Sequence, residues 1–474
     1  MATSIGQRAQ EMARLNPWWR RGDWAASDPD LADARNSGLA YRSGVLARLE
    51  AGGLYVLRGP RRVGKTVAVK QSIEDLLASG VPATCVVRMA VDGWAAKDLR
   101  TLMQNTALPP IPAGTARYWF LDEITAVSGD WAEQIKWLRD NDPDFRAATV
   151  VLTGSNASAL TAAAGALAGR RGRHAELDRT LLPMGFRTFV AQVKPEAPPP
   201  VTPLALGEMR SPRARAAFEG LLPWLDELVL MWERYLTYGG FPVPAAALRA
   251  GQPIPEYFID DMFDVIANDT FANSRLSALT EIALLERLWE SMASPANLSN
   301  IAEDVGITAD IVTRHVGYLR DAFLLWTCPQ RAENAWLPRE RAQDKLYAVD
   351  PVVARLAHLR NPARRDIDPS VLSEMQIGMA VRRRLLADQP RSSVDESLFH
   401  VRTATRKEID FVAAAMAGVA IEGKYTEAGR WKGEARTVDA SEWQGILATR
   451  NVLAVDGAEA WAVPSAFLAY TIDT

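Results

Sequence analysis

Leu54-Tyr55-Val56-Leu57-Arg58-Gly59-Pro60-Arg61-Arg62-Val63-Gly64-Lys65-Thr66-Val67 is the stretch that decides the fold. It opens with a short apolar run (54–57). It continues as G-x-x-x-x-G-K-[ST] with all four fixed positions filled, and it leads into a helical stretch, VAVKQSIEDLLASG (67–80). Strand, loop and helix in that order are the context a phosphate-binding loop requires. The glycines let backbone N–H groups curl around phosphates. The helix N-terminus adds a partial positive charge. Lys65 is placed to reach the β- and γ-phosphates, and Thr66 can ligate Mg²⁺. Gly59, Pro60, Arg61, Arg62, Val63, Gly64, Lys65, Thr66 and Val67 are therefore the expected nucleotide-binding residues, with ATP and Mg²⁺ as the expected cofactors.

Downstream, TCVVRMAV (84–91), YWFL (118–121) and TVVLTGS (149–155) are further short apolar runs alternating with helical stretches. Strands that are apolar throughout are buried on both faces, which predicts a parallel sheet in an α/β domain. The run 118–121 ends in Asp122-Glu123. Asp122 fits the role of holding Mg²⁺ through water, and Glu123 that of the base that polarises the attacking water. The run 149–155 ends in a polar turn, where Ser155 or Asn156 could sense the γ-phosphate.

Length and composition bound the rest. The chain has 474 residues, 48% hydrophobic and 23% charged, which predicts two to four domains and excludes disorder as the main state. With 54 Lys+Arg against 57 Asp+Glu the net charge is -3, so this is no polycation, although a local basic patch is compatible with it. Two cysteines far apart, Cys85 and Cys328, make neither a zinc cage nor a disulfide framework and point to a reducing compartment. Four histidines leave little room for a His-rich metal site. The N-terminal residues lack the apolar core of a secretory signal, and no run of about 20 apolar residues predicts a membrane span. A cytoplasmic protein is expected.

Composition shifts divide the chain into an N-terminal arm (1–50) with the knot Pro17-Trp18-Trp19-Arg20-Arg21, an ATPase core (51–195), and a helical lid or linker region (196–275) that starts proline-rich. A winged-helix segment (276–335) and a C-terminal α/β domain (336–474) complete the expected order. In the winged-helix segment, Asn297 to Thr308 reads as a capped helix, a glycine turn and a second cap, with Leu298, Ile301, Ala302 and Val305 on the core face. The second helix (309–319) would be the recognition helix, and offers Arg314, His315 and Arg320 beside Asp310 and Asp321. Near the C-terminus, EIDFV (408–412) and VAIEGK (419–424) alternate polar and apolar around a small-residue turn. If they pair as a hairpin, residues whose numbers sum to about 832 face each other. Asp410 then opposes Glu422, and Lys424 shares their face.

Taken together, Asn16-Pro17-Trp18-Trp19-Arg20, GPRRVGKT (59–66), FLDEIT (120–125), TGSNAS (153–158), AGRRGR (168–173), LLPMGF (181–186) and YGGFP (238–242) resemble a bacterial and archaeal family of AAA-type ATPases. In that family a P-loop domain precedes a winged helix and a domain similar to PD-(D/E)XK nucleases, and the resemblance covers nearly the whole chain. It implies that Arg170, Arg171 and Arg173 match an arginine-rich motif from which one arginine completes a neighbouring subunit's site. A homo-oligomer is thus expected. It also implies that Asp410, Glu422 and Lys424 match the D…ExK pattern, in which carboxylates hold Mg²⁺ and the lysine positions the water or steadies the charged phosphate. Glu374 matches the upstream acidic residue, and Arg382, Arg383 and Arg384 follow it, where they could touch phosphates. The C-terminal domain is open to two readings, an intact metal site or a degenerate nuclease fold used for binding. Function is likewise open between two classes. The first is an ATP-hydrolysing motor acting on DNA in remodelling or repair, with branched DNA a possible substrate. The second is a nucleotide switch that binds a protein partner.

Overall fold

Leu54–Arg58 (β1), Val86–Ala90 (β2), Tyr118–Asp122 (β3), Thr149–Thr153 (β4) and Asp178–Thr180 (β5) form a five-stranded sheet in the computed structural model of the chain. The structure describes residues 10, 12–105, 108–154, 157–173, 176–195, 201–270, 276–333, 335–388, 397–402, 408–427 and 430–473. Every pairing in this sheet is parallel, and the strand order is β2-β3-β4-β1-β5. The four apolar runs of the sequence are its first four strands. All of β4 is buried, as are the first four residues of β1, as expected for a sheet covered on both faces. The chain divides into two compact units, Met1–Leu182 and Pro183–Thr474, and this sheet belongs to the first.

An edge strand leaves a row of unpaired backbone groups, and here the N-terminal arm covers them. Asn16 is fully buried beside β2: its Nδ2 donates to Arg88 O (2.9 Å), and Arg88 N donates to Asn16 Oδ1 (2.6 Å). The indoles of Trp18 and Trp19 both donate to Val86 O, at 3.0 and 2.9 Å. The knot read from sequence as aromatic and basic therefore turns its two tryptophans onto the sheet edge. Asn16→Ala would strand two buried backbone groups of Arg88, at about 1–3 kcal/mol each. We expect it to lower the first unit's unfolding midpoint clearly in a denaturant titration. Trp19→Phe, which removes one of two donors to the same carbonyl, should have a much smaller effect.

The second unit has two sheets. Leu325–Cys328 (β6) and Lys345–Ala348 (β7) pair antiparallel. Phe399–Arg402 (β8), Glu408–Val412 (β9), Val419–Gly423 (β10), Gln444–Thr449 (β11) and Trp461–Pro464 (β12) form a mixed sheet in the order β12-β11-β10-β9-β8. In it β8, β9 and β10 run antiparallel, and β10, β11 and β12 parallel. The β9–β10 register is Ile421 opposite Phe411 and Ala420 opposite Val412, so facing residues have numbers summing to 832.

Two sequence motifs meet inside this unit. Gly185 precedes the helix Phe186–Val193, and a side chain there would stand 2.3 Å from a carboxylate oxygen of Asp473. Phe186 N donates to that carboxylate (2.7 Å). Met184 N donates to Gly240 O (2.8 Å), and a side chain at Gly240 would meet Met184 O at 2.2 Å. Gly240 N in turn donates to the buried Asp350 (2.7 Å), whose carboxyl is raised to about 6 by burial. LLPMGF and YGGFP are thus one close-packed joint. Residues 183–195, assigned to the ATPase core on sequence, pack in the second unit, because this joint and Asp473 hold them there.

Candidate functional site

At the end of β1 the chain turns through Gly59, whose φ is +148°, and a Cβ there would lie 2.1 Å from Leu181 O. Only glycine fits. Gly64, at φ +99°, is the N-cap of helix α1 (Lys65–Ala78) and makes no side-chain capping bond. The first-turn N–H groups of α1 have no cap side chain to accept from them, the arrangement that suits an anion. Lys65 is the first residue of α1. Its buried ammonium donates to Gly59 O (2.9 Å) and Pro60 O (2.8 Å), and burial lowers its pKa to about 8 against the pull of Glu123. Arg61 and Arg62 are exposed, Val63 is buried, and Thr66 and Val67 are half-buried.

Asp122 ends β3, two strands away from β1. Thr153 Oγ1, at the end of β4, donates to Asp122 Oδ1 (2.6 Å), and Arg88 Nη2, on β2, donates to Asp122 Oδ2 (2.6 Å). Glu123 N donates to Thr153 Oγ1 (3.2 Å), and Glu123 itself sits at φ 57° and ψ 39°. A non-glycine residue held in the left-handed region is the kind of local strain that clusters at working sites. Thr153 therefore ties the two acidic residues into one constellation. Gly154 is needed beside it, since a Cβ there would meet Thr125 Oγ1 at 2.5 Å. Both Asp122 oxygens already accept short bonds, so Asp122 could meet a Mg²⁺ ion through water, and Thr66 is the hydroxyl that could ligate it directly. Arg88 and Thr153 escaped the sequence reading. The signal for Arg88 was present: a lone charge inside the buried run TCVVRMAV. The candidate sensors Ser155 and Asn156 lie outside the described residues.

The arginine motif is largely engaged within its own chain. Arg170 Nε lies 2.8 Å from Asp140 Oδ1, and Arg171 Nη1 lies 2.9 Å from Asp178 Oδ2. Arg171 Nε also donates to Leu54 O, at the start of β1. Arg173 is exposed. Of the three, Arg171 is the one most fully used in cis.

Residues 52–190 match the model of a family described as "AAA domain", and this span holds the loop, the acidic pair and all five strands. They are an AAA-type P-loop ATPase domain. The AAA domain binds and hydrolyses ATP. A second model, "Domain of unknown function (DUF8612)", matches residues 230–364. No curated protein matches the chain. Among solved structures, the Walker-type ATPase PABY2304 of Pyrococcus abyssi is 15% identical, over 64% of this chain and 90% of that one, with a TM-score of 0.37. A RuvB variant of Thermotoga maritima is 16% identical over 59% and 82%, with a TM-score of 0.27. Cdc6p of Pyrobaculum aerophilum is 12% identical over 79% and 95%, with a TM-score of 0.22. Likenesses as loose as these carry no functional argument. Among the described residues no helix is long and apolar enough to cross a membrane.

In the second unit, Leu298–Val305 (α2) and Ala309–Asp321 (α3) flank Gly306, which closes α2 at φ +75°. Asn297 caps α2 through Ser299 N and Asn300 N, whereas the side chain of Thr308 makes no cap on α3. His315, expected on the exposed basic face, is instead buried: its Nδ1 lies 2.6 Å from Ile311 O, and burial lowers its pKa. Helical spacing put it on the packing side. Arg314 and Arg320 remain exposed. The β6–β7 pair follows α3, so a domain boundary at 335/336 would pass between its strands.

Strand β7 then delivers two residues that sequence reading missed. Lys345 Nζ lies 2.7 Å from Asp410 Oδ1 and 3.4 Å from Glu374 Oε1, and Tyr347 donates to Glu374 Oε1 (2.6 Å). Glu374 comes from the helix Pro369–Asp388 (α4). Asp410 Oδ2 accepts from Gly423 N (2.8 Å), and Lys424 Nζ lies 3.0 Å from Glu422 Oε1. The structure thus gathers Glu374, Asp410, Glu422 and Lys424 around the β9–β10 pair, with Lys345 among them. Burial, then the charge of Asp410, pushes Glu374 up to about 8. Burial pushes Glu422 up to about 7, and its Oε2 has no hydrogen-bond partner among the described residues. Burial alone would raise Asp410, but Lys345 and then Lys424 outweigh it and hold it below its usual value.

As a Mg²⁺ site these residues do not fit. Among the described residues no group of three or more His, Cys, Asp or Glu side chains is arranged to hold a metal ion. Lys345 has taken the position between Glu374 and Asp410. The arginines of α4 also depart from expectation. Arg383 is buried in an ion pair with Asp473 (Nε to Oδ1 2.8 Å) and cannot touch a phosphate, and Arg384 pairs with Asp388.

Proposed function

We propose that the chain is an ATP-driven machine acting on DNA, in which the AAA domain supplies the energy and the second unit engages the nucleic acid. Within the second unit we read residues 276–335 and the strand that follows as a winged helix, and the C-terminal sheet as a nuclease-like fold that binds without cutting. The observation that carries this reading is the gathering of Glu374, Asp410, Glu422 and Lys424 around a strand pair whose register sums to 832, the D…ExK disposition. Lys424 is partly exposed and is the cation that would face a phosphodiester. Mg²⁺ would be held with ATP by Thr66 and, through water, by Asp122, and would supply charge neutralisation on the phosphates. The working form is a homo-oligomer, with Arg173 the arginine best exposed to reach a neighbour's nucleotide.

One observation favours the second reading, a nucleotide switch with a protein partner. The helix α3 exposes only Arg314 and Arg320 as basic groups, beside the exposed Asp310. The test is binding of labelled forked and linear DNA at increasing salt. The expected result is binding that weakens steadily with salt, with a shallower slope in Lys424→Ala. Absence of binding at 50 mM salt, with and without ATP, would favour the protein-partner reading.

A further inference from the structure

We infer that Lys345 is the resident cation of the carboxylate cluster, a lysine ammonium standing where a divalent metal would stand, so that this centre works without metal. Lys345 lies on β7, away from the β9–β10 pair in sequence, and its side chain is only 1% exposed. Its Nζ has three carboxylates around it: Asp410 Oδ1 at 2.7 Å, Glu374 Oε1 at 3.4 Å and Glu408 Oε2 at 3.8 Å. An ammonium is a compact point charge with three donors. It satisfies carboxylate oxygens from several directions much as a small metal ion does, but it does not lower the pKa of a bound water as a metal ion does.

Two of the carboxylate oxygens also hold bonds that an ammonium leaves in place and a metal would have to break. Glu374 Oε1 also accepts from Tyr347 Oη (2.6 Å), and Asp410 Oδ2 accepts from Gly423 N (2.8 Å). A Mg²⁺ ion demands near-octahedral oxygens at about 2.0–2.1 Å. To enter, it would have to displace a buried ammonium and break that set of bonds while feeling the repulsion of both lysines. Glu422 pairs with Lys424, so among the described residues the cluster carries one internal cation and one partly exposed cation. The buried one balances the carboxylates, and the other is left to meet a ligand.

Removing the internal cation leaves the carboxylates to repel one another, and a divalent ion becomes the natural replacement. The experiment counts Mn²⁺ bound per full-length chain by electron paramagnetic resonance, at neutral pH without nucleotide or DNA. Wild type and Asp410→Asn should bind the same number. Lys345→Met should bind one more, and Lys345→Met with Asp410→Asn should lose it. A Mn²⁺ equivalent in wild type that Asp410→Asn abolishes would overturn the inference. So would a folded Lys345→Met chain, judged by an unchanged melting profile, that gains none. Should Lys345→Met not fold, the comparison of wild type with Asp410→Asn decides alone. The inference shares residues with the nuclease-like reading, but metal is counted without nucleic acid, so either can fail while the other stands.

Discussion

Glu123→Gln retains ATP and lowers its turnover by at least about a hundredfold, the low end of what a positioned base contributes. Glutamine keeps the volume of the side chain and the backbone bond from Glu123 N to Thr153 Oγ1 (3.2 Å), but cannot take a proton. The residue stands at φ 57°, directly after Asp122, with Lys65 close enough that its charge acts on the lysine's protonation. Lys65→Ala gives the complementary result. Without the ammonium that now rests on Gly59 O and Pro60 O, both binding and turnover are lost. Nucleotide retention on a filter and phosphate release measured side by side separate the two variants. Wild-type phosphate release in Glu123→Gln would remove the residue from the chemistry.

Asp473→Ala destabilises the second unit by about 3–5 kcal/mol, the cost of leaving a buried charge without its partner. The Asp473 carboxylate accepts from Arg383 Nε (2.8 Å), Arg383 Nη2 (3.1 Å) and Phe186 N (2.7 Å), and both it and Arg383 are buried. Its loss also removes the group against which Gly185 is packed. Phe186, whose N–H the carboxylate holds, packs against Trp232, Tyr235 and Tyr470, with ring centroids 4.9–6.3 Å away. In a denaturant titration followed by tryptophan fluorescence, the second unit's transition should move to much lower denaturant. Asp473→Asn, which can still accept from Phe186 N, should fall between the two. An unchanged midpoint in Asp473→Ala would mean that Arg383 finds another partner at no cost.

Sequence carried much of this. The P-loop, the acidic pair and four of five parallel strands follow from apolar runs and fixed spacings, which are local properties. The fifth strand, Asp178-Arg179-Thr180, has three polar residues and no apolar signature, so nothing local announces it. The β9–β10 register was legible because alternation fixes which residues share a face. Residues that act across long sequence separations were not. Lys345 reaches Asp410 from 65 positions away, and Arg383 reaches Asp473 from 90. A charged residue in a strand or helix is ordinarily solvated, and only the packing shows that these two are buried counter-ions. Sequence alone presents His315 and Arg383 as surface cations for the same reason, and both are interior.

The measurement that bears most directly on the whole account is ATP turnover as a function of added forked DNA, in wild type and in Lys65→Ala. The basal wild-type rate should rise several-fold and saturate with DNA, and fall back as salt disrupts binding, with Lys65→Ala silent throughout. A wild-type rate that no DNA changes at any salt would contradict it.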